Sequence, residues 1–131
     1  VNGTELPAEV RHLIHSSVPS IDALEVLVQV VRHRDEPRTL PELIEVLGTA
    51  AVSEPVVRES LALLRGQGIL SETPDGRVVC RPDSPAVETA IGLLLRAYNE
   101  RPVTLIRTVY AIADAKKIQA FADAFKIKKD Q

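Results

Sequence analysis

Residues 39–81 read TLPELIEVLGTAAVSEPVVRESLALLRGQGILSETPDGRVVCR, and the order of signals along this stretch decides the fold. Thr39-Leu40-Pro41-Glu42 is a capping box: the Thr hydroxyl can accept from a first-turn N–H while the Glu42 carboxylate reaches back to the Thr39 N–H. Pro41 suits a first turn, where its missing N–H leaves no bond unmade. The short helix that follows turns Leu43, Ile44 and Leu47 inward and stops at Gly48. Residues 49–52 form a turn. Ser53 is expected to cap the next helix, Pro55 lies near its start, and Val57, Leu61 and Leu64 recur at i, i+4 and i+7 before an end near Gly66. Then the period changes from that of a helix to that of a strand. Residues 68–72 and 77–81 are β-compatible runs around Thr73-Pro74-Asp75-Gly76, in which Pro presets φ, Asp bonds locally and Gly accepts a positive φ. That is a β-hairpin.

Outward from this unit, the N-terminal side reads as two helices. The first covers about residues 6–15, with Pro7 in a first turn and Leu6, Val10, Leu13 and Ile14 on one face. Ser16, Ser17 and Pro19 break the pattern, and Ser20 caps a second helix whose Ile21, Leu24, Leu27, Val28 and Val31 form a broad apolar stripe. The charged string at residues 32–37 ends it. On the C-terminal side, Ser84-Pro85 opens a helix to about Tyr98, with Val87, Ile91, Leu94 and Tyr98 at spacings of four, three and four. After an interruption at residues 99–102, Val103, Ile106, Val109 and Tyr110 predict a further helix. Asp114 is expected to cap or kink the chain into a last one carrying Ile118, Phe121, Ala122 and Phe125, with a frayed tail from Lys126. The reading divides the chain into residues 1–83, with the hairpin unit, and 84–131, a helical association segment.

A chain of 131 residues, 45% hydrophobic and 26% charged, has the composition of one ordinary globular domain with a real core. No apolar run approaches the ~20 residues that span a bilayer. The start lacks a basic patch followed by an apolar run, so no signal peptide is expected. With no Met anywhere and a first residue Val1, the natural start is expected upstream or removed. Cys80 is the sole cysteine, which rules out an internal disulfide and fits a reducing, cytoplasmic location. Charge is unevenly spread: residues 1–83 hold eight Arg against thirteen Asp or Glu, whereas residues 84–131 hold eight cations against five acids and include every lysine and aromatic residue. The front is aliphatic and acidic, the back aromatic and basic.

A short capped helix, a tight turn, a Ser-capped second helix and a Pro-Asp-Gly hairpin, in that order, resemble the winged helix-turn-helix of bacterial transcription regulators. The residues that carry the likeness are Thr39-Leu40-Pro41-Glu42-Leu43-Ile44, Ser53-Glu54-Pro55-Val56-Val57-Arg58 and Leu63-Leu64-Arg65-Gly66-Gln67-Gly68-Ile69-Leu70. The likeness covers about residues 20–82, and the whole order loosely resembles the multiple-antibiotic-resistance type of regulator. It implies a mainly α fold: a three-helix core plus β-hairpin wing, with additional C-terminal helices. In such families the second helix of the motif enters the major groove and the hairpin touches the DNA backbone. The recognition helix would then be residues 53–66 and the wing residues 69–81. Carried over residue by residue, Arg58 becomes the base-reading candidate, since its fork matches guanine O6 and N7. Ser53 and Thr39 become phosphate donors at helix N-termini, Arg77 and Arg81 wing contacts, and Arg65 and Arg38 flanking cations. The implied partners are double-stranded DNA and a second copy of the chain, joined through the C-terminal helices; no cofactor, metal or membrane is implied.

The charge pattern departs from that family. Glu54 and Glu59 share the helix with Arg58 and Arg65, and phosphate neutralisation supplies most non-specific affinity. Dimerisation or the lysine-rich tail would have to supply more cations. The plain alternative for Arg58 is an i, i+4 ion pair with Glu54. Two functions therefore stand: a DNA-binding regulator, or a winged-helix protein-interaction module without nucleic-acid binding. His12 and His15, with His33 or Glu9, make a weak metal candidate, and Cys80 beside Arg77 and Arg81 a weak redox one. No Gly-rich phosphate loop, ordered triad or carboxylate pair in an evident cleft points to an enzyme.

Overall fold

The computed structural model describes residues 6–48 and 52–129 of the chain. Among them run α1 (Ala8–Ser17), α2 (Ile21–Arg32), α3 (Leu40–Gly48), α4 (Glu54–Gly66), β1 (Leu70–Glu72), β2 (Val78–Cys80), α5 (Pro85–Glu100) and α6 (Pro102–Lys129). The architecture is mainly helical with one small antiparallel sheet. The turn expected at residues 49–52 falls largely outside the described residues.

Side-chain caps mark the starts of α2, α3 and α5. The Ser20 hydroxyl accepts from the Ala23 N–H at 3.1 Å, and the Ser84 hydroxyl from the Val87 N–H at 3.1 Å. The capping box of α3 closes in both directions: the Glu42 N–H donates to Thr39 Oγ1 at 3.3 Å, and the Thr39 N–H to Glu42 Oε1 at 3.4 Å. Ser53 differs. It holds the cap position of α4 with extended backbone, φ −68° and ψ 150°, yet its hydroxyl makes no capping bond. Pro55 is the physical reason in part, because it occupies the second helical position and removes one of the two N–H groups a cap can bind. Pro7 likewise sits just outside α1, where its carbonyl accepts from the Val10 and Arg11 N–H groups, rather than inside a first turn.

The helix α4 ends at Gly66, as expected. Gly66 is still helical, and Gly68, with φ +78°, takes the left-handed position. The Ile69 N–H bonds the Leu64 carbonyl at 2.9 Å and the Gly68 N–H the Arg65 carbonyl at 3.1 Å, a Schellman closure. A Cβ at Gly68 would also collide with the Asp83 carboxylate. The hairpin that follows pairs Leu70 with Cys80, Ser71 with Val79 and Glu72 with Val78. Its turn is closed by the Thr73 N–H on the Arg77 carbonyl at 2.8 Å, with Gly76 at φ +83°. Arg38 adds a bridge to Val78 through backbone bonds of 3.2 and 2.6 Å, tying the entry of α3 to the sheet.

One hydrophobic cluster joins every helix. Val10 and Ile14 of α1, Leu24 and Leu27 of α2, Leu47 of α3, Leu64 of α4, Ile91 and Leu94 of α5, and Leu105 and Val109 of α6 are all buried in it. Residues on both sides of position 84 thus share a core. The apolar stripe of α5 faces inward, with α5 packing most extensively on α1, so its four-three-four spacing serves intramolecular packing. Polar ties link α5 to α2 and to the segment after it: Arg34 donates to both Glu88 oxygens at 2.7 and 2.9 Å, and Tyr98 donates its hydroxyl to Glu25 at 2.7 Å. The Arg32 guanidinium lies 5.3 Å from the centre of the Tyr98 ring.

The C-terminal part departs most from expectation. There is no break at Asp114; α6 is one continuous helix of 28 residues. Neither Gly nor Pro occurs after Pro102, and one exposed Asp inside a helix costs only about 0.5 kcal/mol against Ala, too little to end it.

Two measurements check this account. Ser84→Ala should lower stability by about 1 kcal/mol in denaturant unfolding, whereas Ser53→Ala should be within a few tenths. The Arg34 guanidinium holds the Glu88 carboxyl below the usual carboxylate range. The bridge therefore contributes fully above the unfolded-state pKa of about 4.3 and is lost as pH falls through the lower folded value. The melting-temperature gap between the natural chain and Glu88→Gln should close on acidification from pH 7 to below pH 4.

Candidate nucleic-acid interface

Burial of Val57, Leu61 and Leu64, each no more than 3% exposed, fixes the rotation of α4 about its axis. Ser60 lies on the same inward face and is buried too. What remains outward is Pro55, Arg58, Glu59, Ala62 and Arg65. Arg58, Ala62 and Arg65 stand at i, i+4 and i+7 and so form one stripe. The hairpin faces this stripe across a shallow groove of about 120 Å³, lined by Arg58, Ala62 and Arg65 on one side and Glu72 and Gly76 on the other. Leu40, at the start of α3, closes one end and is itself exposed.

Each arginine near the groove has a carboxylate. Arg58 pairs with Glu54 at 2.9 Å, Arg65 with Glu72 at 3.3 Å and Arg77 with Asp75 at 3.2 Å. Arg77 also donates to the Pro37 carbonyl at 3.3 Å, which holds it at the mouth of the turn. The Thr73 hydroxyl donates to Asp75 and keeps its carboxyl below the usual range, so that charge persists at neutral pH. Glu42 is held low in the same way, first by the Thr39 hydroxyl and then by the Thr39 N–H. Residues 54–81 carry four arginines and four acids, and the face is neutral overall. The side chains of Arg58 and Arg65 are nonetheless half exposed, at 54% and 51%. An exposed pair such as Arg58–Glu54 or Arg65–Glu72 is worth about 0.2–1 kcal/mol, so these arginines are pre-positioned without being locked.

The six residues singled out from sequence are not equally placed. Arg58 and Arg65 line the groove, and Arg77 stands at the hairpin turn beside it. Arg81 lies at the other end of the hairpin, where its N–H bonds the Ile69 carbonyl, about 13 Å of strand from Arg77 at ~3.3 Å per residue. It is exposed and in no ion pair among the described residues. The Thr39 hydroxyl is engaged by Glu42 as both donor and acceptor, whereas the Ser53 side chain is exposed and makes no capping bond. Arg38 is anchored by the Val78 bridge and an ion pair with Glu36 at 2.5 Å. Glu72 escaped the sequence reading because its contact with Arg65 spans α4 and the hairpin, and only the strand register brings them together.

The weaker candidates look different in three dimensions. Cys80 is buried, and burial pushes its thiol pKa up; the charge opposing that shift belongs to Arg34, not to Arg77 or Arg81. Among the described residues no group of three His, Cys, Asp or Glu side chains converges as a metal site. No single helix among them is long and apolar enough to cross a membrane.

A buried, protonated thiol is a poor nucleophile. Cys80 in the folded chain should react with a thiol reagent at neutral pH at least tenfold more slowly than in the chain unfolded by denaturant, followed by absorbance. No known protein family, no curated protein and no solved structure matches the chain.

Proposed function

We propose that the chain is a winged helix-turn-helix DNA-binding regulator of transcription, in which α4 enters the major groove and the β1–β2 hairpin acts as the wing. The observation that carries this reading is the open stripe of Arg58, Ala62 and Arg65, facing the hairpin across a groove. The helices α5 and α6 pack on the α1 and α2 side and leave that stripe exposed. A helix with a bulge-free row of small and forked side chains fits the groove of B-DNA, and Arg58 reaches guanine O6 and N7 in the bidentate manner. Arg65 and Arg77 then meet phosphates on either side, exchanging carboxylate partners for phosphate oxygens. The working compartment on this reading is the bacterial cytoplasm.

A second reading has one observation in its favour. Each of the three arginines is matched by a carboxylate within 3.3 Å, as on a surface that meets a protein of mixed charge. The two readings separate through salt. Fluorescence anisotropy with random duplex DNA should show affinity falling at least tenfold between 50 and 200 mM salt for the regulator, and a flat, weak response for a protein-binding module. Two substitutions sharpen the test. Arg58→Ala should relax sequence preference, and Glu72→Gln, which frees Arg65, should raise affinity several-fold at low salt. If neither changes DNA binding, α4 is not the reading helix.

A further inference from the structure

The helix α6 has two apolar faces. Leu105 and Val109, with Ile112 partly buried, pack it onto the body. On the opposite side lie Val103, Ile106, Tyr110, Ile118, Phe121 and Phe125, with exposures between 40% and 74%. Every side chain from Asp114 to Lys126 is exposed. Polar residues of this outer half, such as Gln119 and Asp123, bond one another along the helix at 2.8 Å on the side away from the phenylalanines. Near the start of this half Lys116 donates to the His15 carbonyl, and Asp114 and Lys117 border a cavity with Pro19 to Asp22.

The exposed stripe has an order of its own. Positions 103, 106, 110, 114, 117, 121 and 125 recur at spacings of three, four, four, three, four and four. That is an 11-residue repeat of about 3.67 residues per turn, so the stripe runs nearly straight along the helix instead of winding around it. Two of its members are charged, Asp114 and Lys117, and they sit at its centre. About a point midway between residues 115 and 116 the pattern from 106 to 125 is palindromic: 106 exchanges with 125, 110 with 121, and 114 with 117.

We infer that α6 pairs antiparallel with α6 of a second copy of this chain, about a two-fold axis at that midpoint. Ile106 then lies against Phe125 of the second copy, Tyr110 against Phe121, and Asp114 against Lys117, each contact occurring twice as an isologous interface requires. The seam is about 28 Å long at ~1.5 Å per residue. Charge complementarity selects this occupant. Under the two-fold axis both central charges are neutralised, and a charged pair at the centre of an apolar seam also fixes its register. An anionic lipid surface would instead force Asp114 into the middle of the buried face. Leu105 and Val109 turn into the body and the stripe turns away from them, while at its centre Tyr110, Asp114 and Lys117 also border a cavity of about 300 Å³ with Pro19 to Asp22 at the start of α2. The pairing stands on α6 alone, whichever ligand the α4 face takes, and is measured without DNA.

Sedimentation equilibrium of the full chain tests it. The natural chain should be a dimer at micromolar concentration, and Phe121→Asp should raise the dissociation constant at least 100-fold with unchanged helical circular dichroism, since the side chain is outside the core. Asp114→Lys and Lys117→Asp each place like charges at the seam and should weaken self-association at least tenfold, while an equimolar mixture of the two should recover a heterodimer. For direction, Ile106→Cys mixed with Phe125→Cys in a Cys80→Ser background should give the heterodisulfide on oxidation. A chain that stays monomeric at 100 μM, a dimer indifferent to Phe121→Asp, or homodisulfides in place of the mixed one would overturn the proposal. So would a monomer that floats with vesicles containing phosphatidylserine, which would assign the stripe to a lipid surface.

Discussion

The packing of Val57, Leu61 and Leu64 against α2 and α3 is the constraint from which the exposed chemistry follows. Three apolar side chains at i, i+4 and i+7 allow α4 one rotation, because turning the helix by a single residue, about 100°, would expose a leucine and bury an arginine. Burying each of those side chains is worth about 1.5–3 kcal/mol, against a larger penalty for enclosing an unsatisfied guanidinium. The same rotation brings Arg65 within reach of Glu72 and leaves Arg58 on its own helix with Glu54. The closure at Gly68 matters equally, since it sets the angle at which the hairpin leaves α4 and hence the width of the groove.

A neutral face can still serve an anionic ligand if its cations are held lightly. Arg58, Arg65 and Arg77 are paired at the surface, where solvent weakens the attraction and salt screens it. What pairing supplies is orientation: the guanidinium planes are held at the groove before any ligand arrives, which reduces the side-chain freedom lost on contact. The carboxylates impose a second effect. They oppose phosphate at long range, so on the proposed reading the salt-sensitive attraction to duplex DNA comes from the few arginine–phosphate contacts made at the groove. Two heads on one assembly would multiply such contacts without raising the charge of either.

Much of this was legible in the sequence, and the exceptions share a cause. The helices, the hairpin and the inward residues of α4 follow from periodicity and from Ser20, Thr39, Ser84 and Gly76, which act through bonds spanning three or four residues. Local chemistry is readable locally. Ser53 misled because Pro55, two residues on, deletes a donor. In the site, Arg58 with Glu54 was foreseeable at i, i+4, whereas Arg65 with Glu72 and Cys80 with Arg34 depend on packing between elements distant in the chain. Arg81 fell away from the turn for the same reason: the hairpin register, not the composition, decides which end a residue occupies.

The helix α6 shows how a weak amphipathic signal can hide two strong ones. Apolar residues on opposite faces cancel when averaged around the axis, and a chain read by periodicity then looks interrupted, which is why Asp114 resembled a break. Resolved into faces, the pattern is consistent: Leu105 and Val109 satisfy the core, and the apolar members of the stripe from Ile106 to Phe125 are exposed. Phenylalanines exposed by more than 60% on this helix gain little burial from folding. Their placement at 3-4-4 spacing around an opposite pair of charges makes physical sense only when a complementary surface runs alongside. The simplest surface with that complement is the same helix reversed.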